Sequence, residues 1–230
     1  MTNRDVGVII AAAGNGTRAG TTELKQFRWV AGKPMLLHSL QRFQQRADVA
    51  MVVVVLPKRY VGDPPPWIFQ CDTDRLLLSV GGRERQESVA NGLEDIPGEC
   101  EIVVVHDAAR PFFTDDTADA AIAAARKGKC AVPVLPMVDT VKRLDGDNAI
   151  VETIDRSSLW RAQTPQAFPR DLLERAHLAG REGAVLALDD AALCERLNLP
   201  CVGVPGSERA LKITTDADFT LAESRSILRE

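Results

Sequence analysis

Two cations, Arg18 and Lys25, stand just beyond a run of small residues, Ala11-Ala12-Ala13-Gly14-Asn15-Gly16. That run closes an apolar stretch that begins at Val6. Small residues at a strand end let a ligand approach the backbone, whose N–H groups can face an anion. Arg18 and Lys25 add positive charge to such a cradle. The chemistry this pattern suits is the binding of a nucleoside triphosphate at the carboxyl end of a first strand. Two better-known phosphate loops do not fit. The dinucleotide fingerprint needs a third glycine one position earlier than Gly20 and a carboxylate after the next strand. The run Met51–Leu56 instead ends in Pro57, which disfavours a hydride-transferring dehydrogenase. The P-loop needs Ser or Thr after Gly-Lys, where Gly32-Lys33 is followed by Pro34.

Further polar clusters follow later strand-like runs. Gly81-Gly82-Arg83-Glu84-Arg85-Gln86-Glu87-Ser88 comes after Arg75–Val80, and His106-Asp107-Ala108-Ala109-Arg110-Pro111 after Ile102–Val105. Asp139-Thr140-Val141-Lys142 comes after Cys130–Leu135. Gln163-Thr164-Pro165-Gln166 and Lys212-Ile213-Thr214 complete the series. Single clusters are ordinary loop chemistry. Several in succession on one edge of one sheet are hard to attribute to turns.

The elements that must hold these clusters alternate in period. The β-branched runs Val6–Ala13 and Met51–Leu56 read as buried parallel strands. Leu36, Leu37, Leu40 and Phe43 lie on one helical face behind Pro34. Helices are expected near Glu84–Leu93, Asp115–Lys127, Arg170–Ala179 and Asp189–Leu197, with a strand at Cys201–Val204. Thr215 and Asp218 have the spacing of a capping box for a last helix. This alternation predicts one α/β domain over residues 1–230, with a Rossmann-like, mostly parallel sheet and helices on both faces. The stretch 138–156 differs, because Asp145-Gly146 between extended segments is a hairpin signal. A lone hairpin is marginal in water, so an arm that docks on a second copy is expected.

Composition narrows the field. The chain has 230 residues, 45% hydrophobic and 26% charged, as in an ordinary globular domain. A net charge of -4 argues against a general nucleic-acid binder. No segment has the length of a membrane helix, and the N-terminus lacks a signal-peptide pattern. The cysteines, Cys71, Cys100, Cys130, Cys194 and Cys201, are scattered and form no Cys-x-x-Cys pair. They read as reduced thiols of a cytoplasmic protein rather than a zinc site or disulfide framework.

The first loop with Arg18 and Lys25-Gln26 resembles the signature of sugar-nucleotide pyrophosphorylases and related nucleotidyltransferases. Taken over nearly its whole length, the chain resembles the 2-C-methyl-D-erythritol 4-phosphate cytidylyltransferase family. The resemblance rests on Ala12-Ala13-Gly14, Lys25-Gln26, Gly81-Gly82, Ser88-Val89, His106 to Pro111, Asp139-Thr140, Lys142 and Gln163 to Gln166. It implies transfer of a cytidylyl group from CTP to an alcohol phosphate, a magnesium ion, and a homodimer formed through the arm. It implies that Arg18 and Lys25 stabilise the transition state and that Arg156 and Lys212 position the alcohol phosphate. It places Ala12, Ala13, Gly14, Gly16, Gly82, Arg85, Ser88, Asp107 and Ala108 around CTP, with Asp107 a candidate metal ligand. Arg110, Asp139, Thr140 and Thr164 would contact the second substrate, and His106 would serve packing. The chain departs from the family pattern at Leu24, Arg83, Leu188 and Ala210. Leu24 is expected to loosen the Lys25 loop, and Leu188 and Ala210 to remove polar groups near the alcohol phosphate. A ribitol 5-phosphate cytidylyltransferase therefore stays open, as does a nucleotide-binding regulator without turnover.

Overall fold

Alternation along each central strand sends side chains to opposite faces, and here both faces are covered. The computed structural model describes residues 4–14 and 24–227. Strand β1 (Val6–Ala11) is followed by a small ribbon, β2 (Trp29–Val30) and β3 (Lys33–Pro34), and then α1 (Met35–Gln44). Strands β4 (Val49–Leu56) and β5 (Leu76–Val80) lead to α2 (Arg85–Glu94), and β6 (Ile102–Asp107) leads to α3 (Asp115–Ala125). Val8 and Ile10 of β1, Val52 and Val54 of β4 and Val104 of β6 face α1 and α3, where Leu36, Leu40, Phe43, Ala121 and Ile122 close one core layer. Ile9, Val53, Val55, Val103 and Val105 face the other side.

Beyond β7 (Cys130–Pro136) come β8 (Val141–Leu144), β9 (Ile150–Ile154), β10 (Trp160–Ala162), β11 (Gln166–Pro169), α4 (Arg170–Glu182), α5 (Asp190–Arg196), β12 (Cys201–Pro205) and α6 (Asp216–Ile227). Val89 and Leu93 of α2, Leu173 and Ala176 of α4, and Leu193 of α5 build the second core layer. Cys100, Cys130 and Cys194 are buried free thiols, and Cys71 and Cys201 are half-buried. In the eight-stranded sheet β5, β4, β1, β6, β11 and β7 are successive neighbours, and β7 also pairs with β10 and β12. The order reverses at β1, which has β4 on one side and β6 on the other, both parallel to it. Among the described residues no helix is long and apolar enough to cross a membrane.

Several expectations need correction. The first strand ends at Ala11 rather than Ala13, and the run expected at Ile102–Val105 continues as β6 through His106 and Asp107. The segment around Gln166 is no loop. It forms β11, antiparallel to β6 and wedged between β6 and β7. Prolines at both ends and only four residues hid it, because proline argues against a central strand. The capping box holds: the Asp218 carboxylate accepts from the Thr215 N–H at 2.8 Å, and Thr215 Oγ1 accepts from the Asp218 N–H at 3.3 Å. Around this helix a small cluster of Val30, Met35, Phe112, Ile213 and Phe219 forms. The Arg28 guanidinium lies 3.9 Å over the Phe219 ring and pairs with Asp216 at 2.7 Å. The C-terminal helix thus braces the segment that follows Lys25.

The hairpin is present as β8 paired antiparallel to β9, a sheet of its own. Asp145 Oδ1 accepts from the N–H groups of Asp147 and Ala149, and Asn148 takes the positive φ of 63°. A side-chain cap and an Asn in the left-handed region are what a short polar turn needs. Nearly every residue of the two strands is exposed.

Candidate active site

Four parallel strands end at one place, and the loops that leave them enclose a cavity of about 470 Å³. It lies at the point where strand order reverses, the usual ligand crevice of open α/β sheets. The lining holds Ala12, Ala13 and Gly14 beyond β1, Pro57 and Lys58 beyond β4, and Gly82, Arg85 and Ser88 beyond β5. Asp107 and Ala108 enter from β6, and Lys25, Gln26 and Lys212 from flanking segments. Gly16 and Arg18 fall outside the described residues.

Local bonds give the cradle its shape. The buried Gln26 amide donates to the carbonyls of Ala12 at 2.5 Å and Gly14 at 3.1 Å. It thereby ties the Lys25 turn to the loop after β1. A Cβ at Gly81 would overlap Ala13, so only glycine lets these two loops approach each other. The Ser88 hydroxyl accepts from the Gly82 N–H at 3.1 Å and donates to the Glu84 carbonyl at 3.0 Å. Leu24 does not loosen the turn: it is buried, and its φ of −64° is the one a proline would impose.

Asp107 is the electrostatic centre. Its carboxylate accepts from Lys212 Nζ at 2.7 Å and from Arg85 Nε at 3.2 Å, while Arg110 Nε lies 3.9 Å away. Burial alone would raise this carboxyl. The charges of Arg85 and Lys212 outweigh it and hold the group well below the usual carboxylate range. Arg85 reaches further, to Asp190 Oδ2 at 2.7 Å, and Asp190 Oδ1 meets His177 Nε2 at 3.0 Å. Asp190 and His177 were not singled out by the sequence. An acidic pair at a helix start reads as ordinary capping, and only the tertiary fold buries the second of the two.

His106 is packed between Phe43 and Phe113, with ring centroids 5.3 and 4.7 Å away. Thr164 Oγ1 accepts from the Asp107 N–H at 3.0 Å, so its own proton goes to His106 Nδ1 at 3.1 Å. The network then assigns the remaining imidazole proton to Nε2, which donates to the Arg110 carbonyl at 3.1 Å. Burial pushes this imidazole down to about 3. His106 is a neutral structural group that fixes the end of β6.

Not every expected residue reaches the cavity. The Thr164 hydroxyl is consumed inside this network, and Thr164 is buried off the lining. Arg110 donates to the carbonyls of Ala210 at 2.8 Å and Ala162 at 3.3 Å, also away from the lining. Asp139, Thr140 and Arg156 are exposed at the arm. Ala210 is fully buried and Leu188 is 97% exposed, so neither side chain lines the cavity.

Metal ligands are sparse. Among the described residues no group of three His, Cys, Asp or Glu could hold an ion. The acidic residues on the lining are Glu84 and Asp107. One or two carboxylates beside a phosphate cradle fit magnesium, which keeps its waters and binds mainly through substrate phosphates.

Comparison with known proteins agrees with this geometry. The family model of 2-C-methyl-D-erythritol 4-phosphate cytidylyltransferase (IspD) matches residues 6–230. A protein of that name from Syntrophus aciditrophicus is 39% identical over 219 residues, covering 94% of this chain and 93% of the relative. One from Salinibacter ruber is 40% identical over 219 residues, covering 94% and 91%. The crystal structure of the protein of that name from Thermus thermophilus superposes with a TM-score of 0.82 at 35% identity, covering 97% of this chain and 99% of the other.

Proposed function

We infer residue roles from one premise: the chain belongs to the 2-C-methyl-D-erythritol 4-phosphate cytidylyltransferase family. It is a nucleotidyltransferase of isoprenoid precursor biosynthesis, moving a cytidylyl group from CTP to 2-C-methyl-D-erythritol 4-phosphate. A phosphate oxygen of the alcohol phosphate attacks the α-phosphorus of CTP. A new P–O bond forms, the bond to the β-phosphate oxygen breaks, and pyrophosphate leaves with the electron pair. The nucleophile is already anionic, so no strong general base is required. The barrier is repulsion between anions and charge growth on the departing group, which fixed cations lower.

In this reading the backbone of Ala12, Ala13 and Gly14 cradles the nucleotide, together with Gly82, Ser88 and Ala108. Lys25 stabilises the transition state from the turn held by Gln26, and Arg18 shares that role. Lys212 and Arg156 hold the alcohol phosphate in line for attack. A magnesium ion, bound through the triphosphate and Asp107, would neutralise charge on the departing pyrophosphate. The observation that carries these roles is the convergence of Lys25, Lys212 and Asp107 on one cavity at the ends of four strands.

The arm serves dimerisation in this reading. Val138, Ile150 and Val151 expose 62%, 65% and 60% of their surface, apolar side chains that the described residues leave uncovered. Docked on a second copy, that arm would bring Asp139, Thr140 and Arg156 to the neighbouring cavity.

Pyrophosphate release from CTP with magnesium tests the substrate. Methylerythritol 4-phosphate is expected to turn over faster than ribitol 5-phosphate, because Leu188 and Ala210 lie off the lining. Preference for ribitol 5-phosphate would overturn the alcohol specificity, and silence with both would favour a nucleotide-binding regulator.

A further inference from the structure

The Arg85 guanidinium is spoken for on two sides. Nε points to Asp107 and the other end to Asp190. A guanidinium shared by two carboxylates carries little net charge to offer a triphosphate. Asp190 itself is 1% exposed, and its two oxygens have one partner each, Arg85 and His177. Desolvating such a carboxylate is costly, and a buried ion pair is weak evidence for stability as its purpose. The arrangement links three elements to the cavity: α2, which begins at Arg85, the end of β6, and α5, which begins at Asp190.

We propose that Asp190 is a positioning residue for cytidylyl transfer, holding Arg85 between two carboxylates so that Asp107 remains free to anchor Lys212. Lys212 and Arg85 take different oxygens of Asp107, Arg110 Nε lies 3.9 Å from that carboxylate, and Asp190 takes the other end of Arg85. Without the Asp190 charge, Arg85 turns its whole fork to Asp107, the better bidentate partner, and competes with Lys212 for the same oxygens. Lys212 then loses its fixed position at the cavity edge. The consequence falls on the substrate that Lys212 holds and spares the one cradled by the β1 and β5 loops. This inference rests on the assignment of Lys212 to the alcohol phosphate.

Asp190→Asn keeps the shape and removes the charge. The expected result is a KM for methylerythritol 4-phosphate raised about tenfold or more, as when a group that orients a ligating residue is lost. The KM for CTP stays within about twofold. Arg85→Met removes the group through which Asp190 acts, so Asp190→Asn in that background adds no further change. Asp190→Ser removes the same charge and is read in the same way if Asp190→Asn fails to fold. Equal rises in both KM values, or additive effects of the two substitutions, would show a merely structural role and overturn the inference. Lys212→Ala separates the two levels. If it leaves the KM for the alcohol phosphate unchanged, the assignment of Lys212 fails and this inference falls with it. If it raises that KM and Asp190→Asn does not, the inference alone fails.

Discussion

The cavity and the arm are built on opposite principles. The cavity is cross-braced: Gln26 ties one loop to the next, Asp107 meets three cations, and His106 and Thr164 lock the strand end from behind. The arm has a two-stranded ladder and a capped turn, and its strands are almost wholly exposed among the described residues. Residues assigned to CTP lie in the braced region, and three of those assigned to the alcohol phosphate, Asp139, Thr140 and Arg156, lie at the exposed one. In the proposed reading one chain builds the nucleotide side of the reaction, and Lys212 together with the neighbour's arm builds the other.

Breaking the braced side has the largest expected effect. Lys25→Ala should lower kcat by about 10²–10³-fold, as for loss of one preorganised donor. The Kd for CTP should change less, and turnover within a few-fold of wild type would refute the role. On the arm, Ile150→Asp with Val151→Asp should convert a dimer to a monomer in sedimentation and lower turnover with it. Full activity in a monomer would separate the arm from catalysis. Arg156→Ala should raise the KM for the alcohol phosphate about 30-fold, the worth of one charge-assisted contact. A change confined to the KM for CTP would contradict it.

Acid sharpens the contrast from the cavity side. His106 titrates near 6.5 when unfolded and near 3 when folded. The unfolded chain then binds more protons between these values, so stability falls as pH drops through that window. From pH 6.5 to pH 5 this one group should cost about 1–2 kcal/mol. Urea unfolding at the two pH values measures it. In His106→Gln that part of the slope should vanish.

Much of this was legible in the sequence because the central strands carry unbroken Val and Ile and their loops carry Gly, Ala and charge. Lys25 and the small residues after β1 were readable from local sequence, whereas Asp107 and Lys212 were placed at the site only by the family resemblance. The rest was not, for physical reasons. β11 is four residues that follow Pro165 and end in Pro169, and its place beside β6 depends on long-range pairing. Thr164 looked like a ligand contact until burial turned its hydroxyl to His106. Nothing in the sequence singled out Asp190, on which Arg85 and His177 close only in the folded chain. Side chains whose role depends on a partner far along the chain leave no local signature.

The central claim is that the arm of one copy completes the cavity of the other. Mixing and reassociating Lys25→Ala with Arg156→Ala tests it directly. If the site is shared, half the dimers are mixed and one of their two sites is intact, so activity returns to about a quarter of wild type. If Arg156 serves its own chain, every site keeps one lesion and mixing restores nothing.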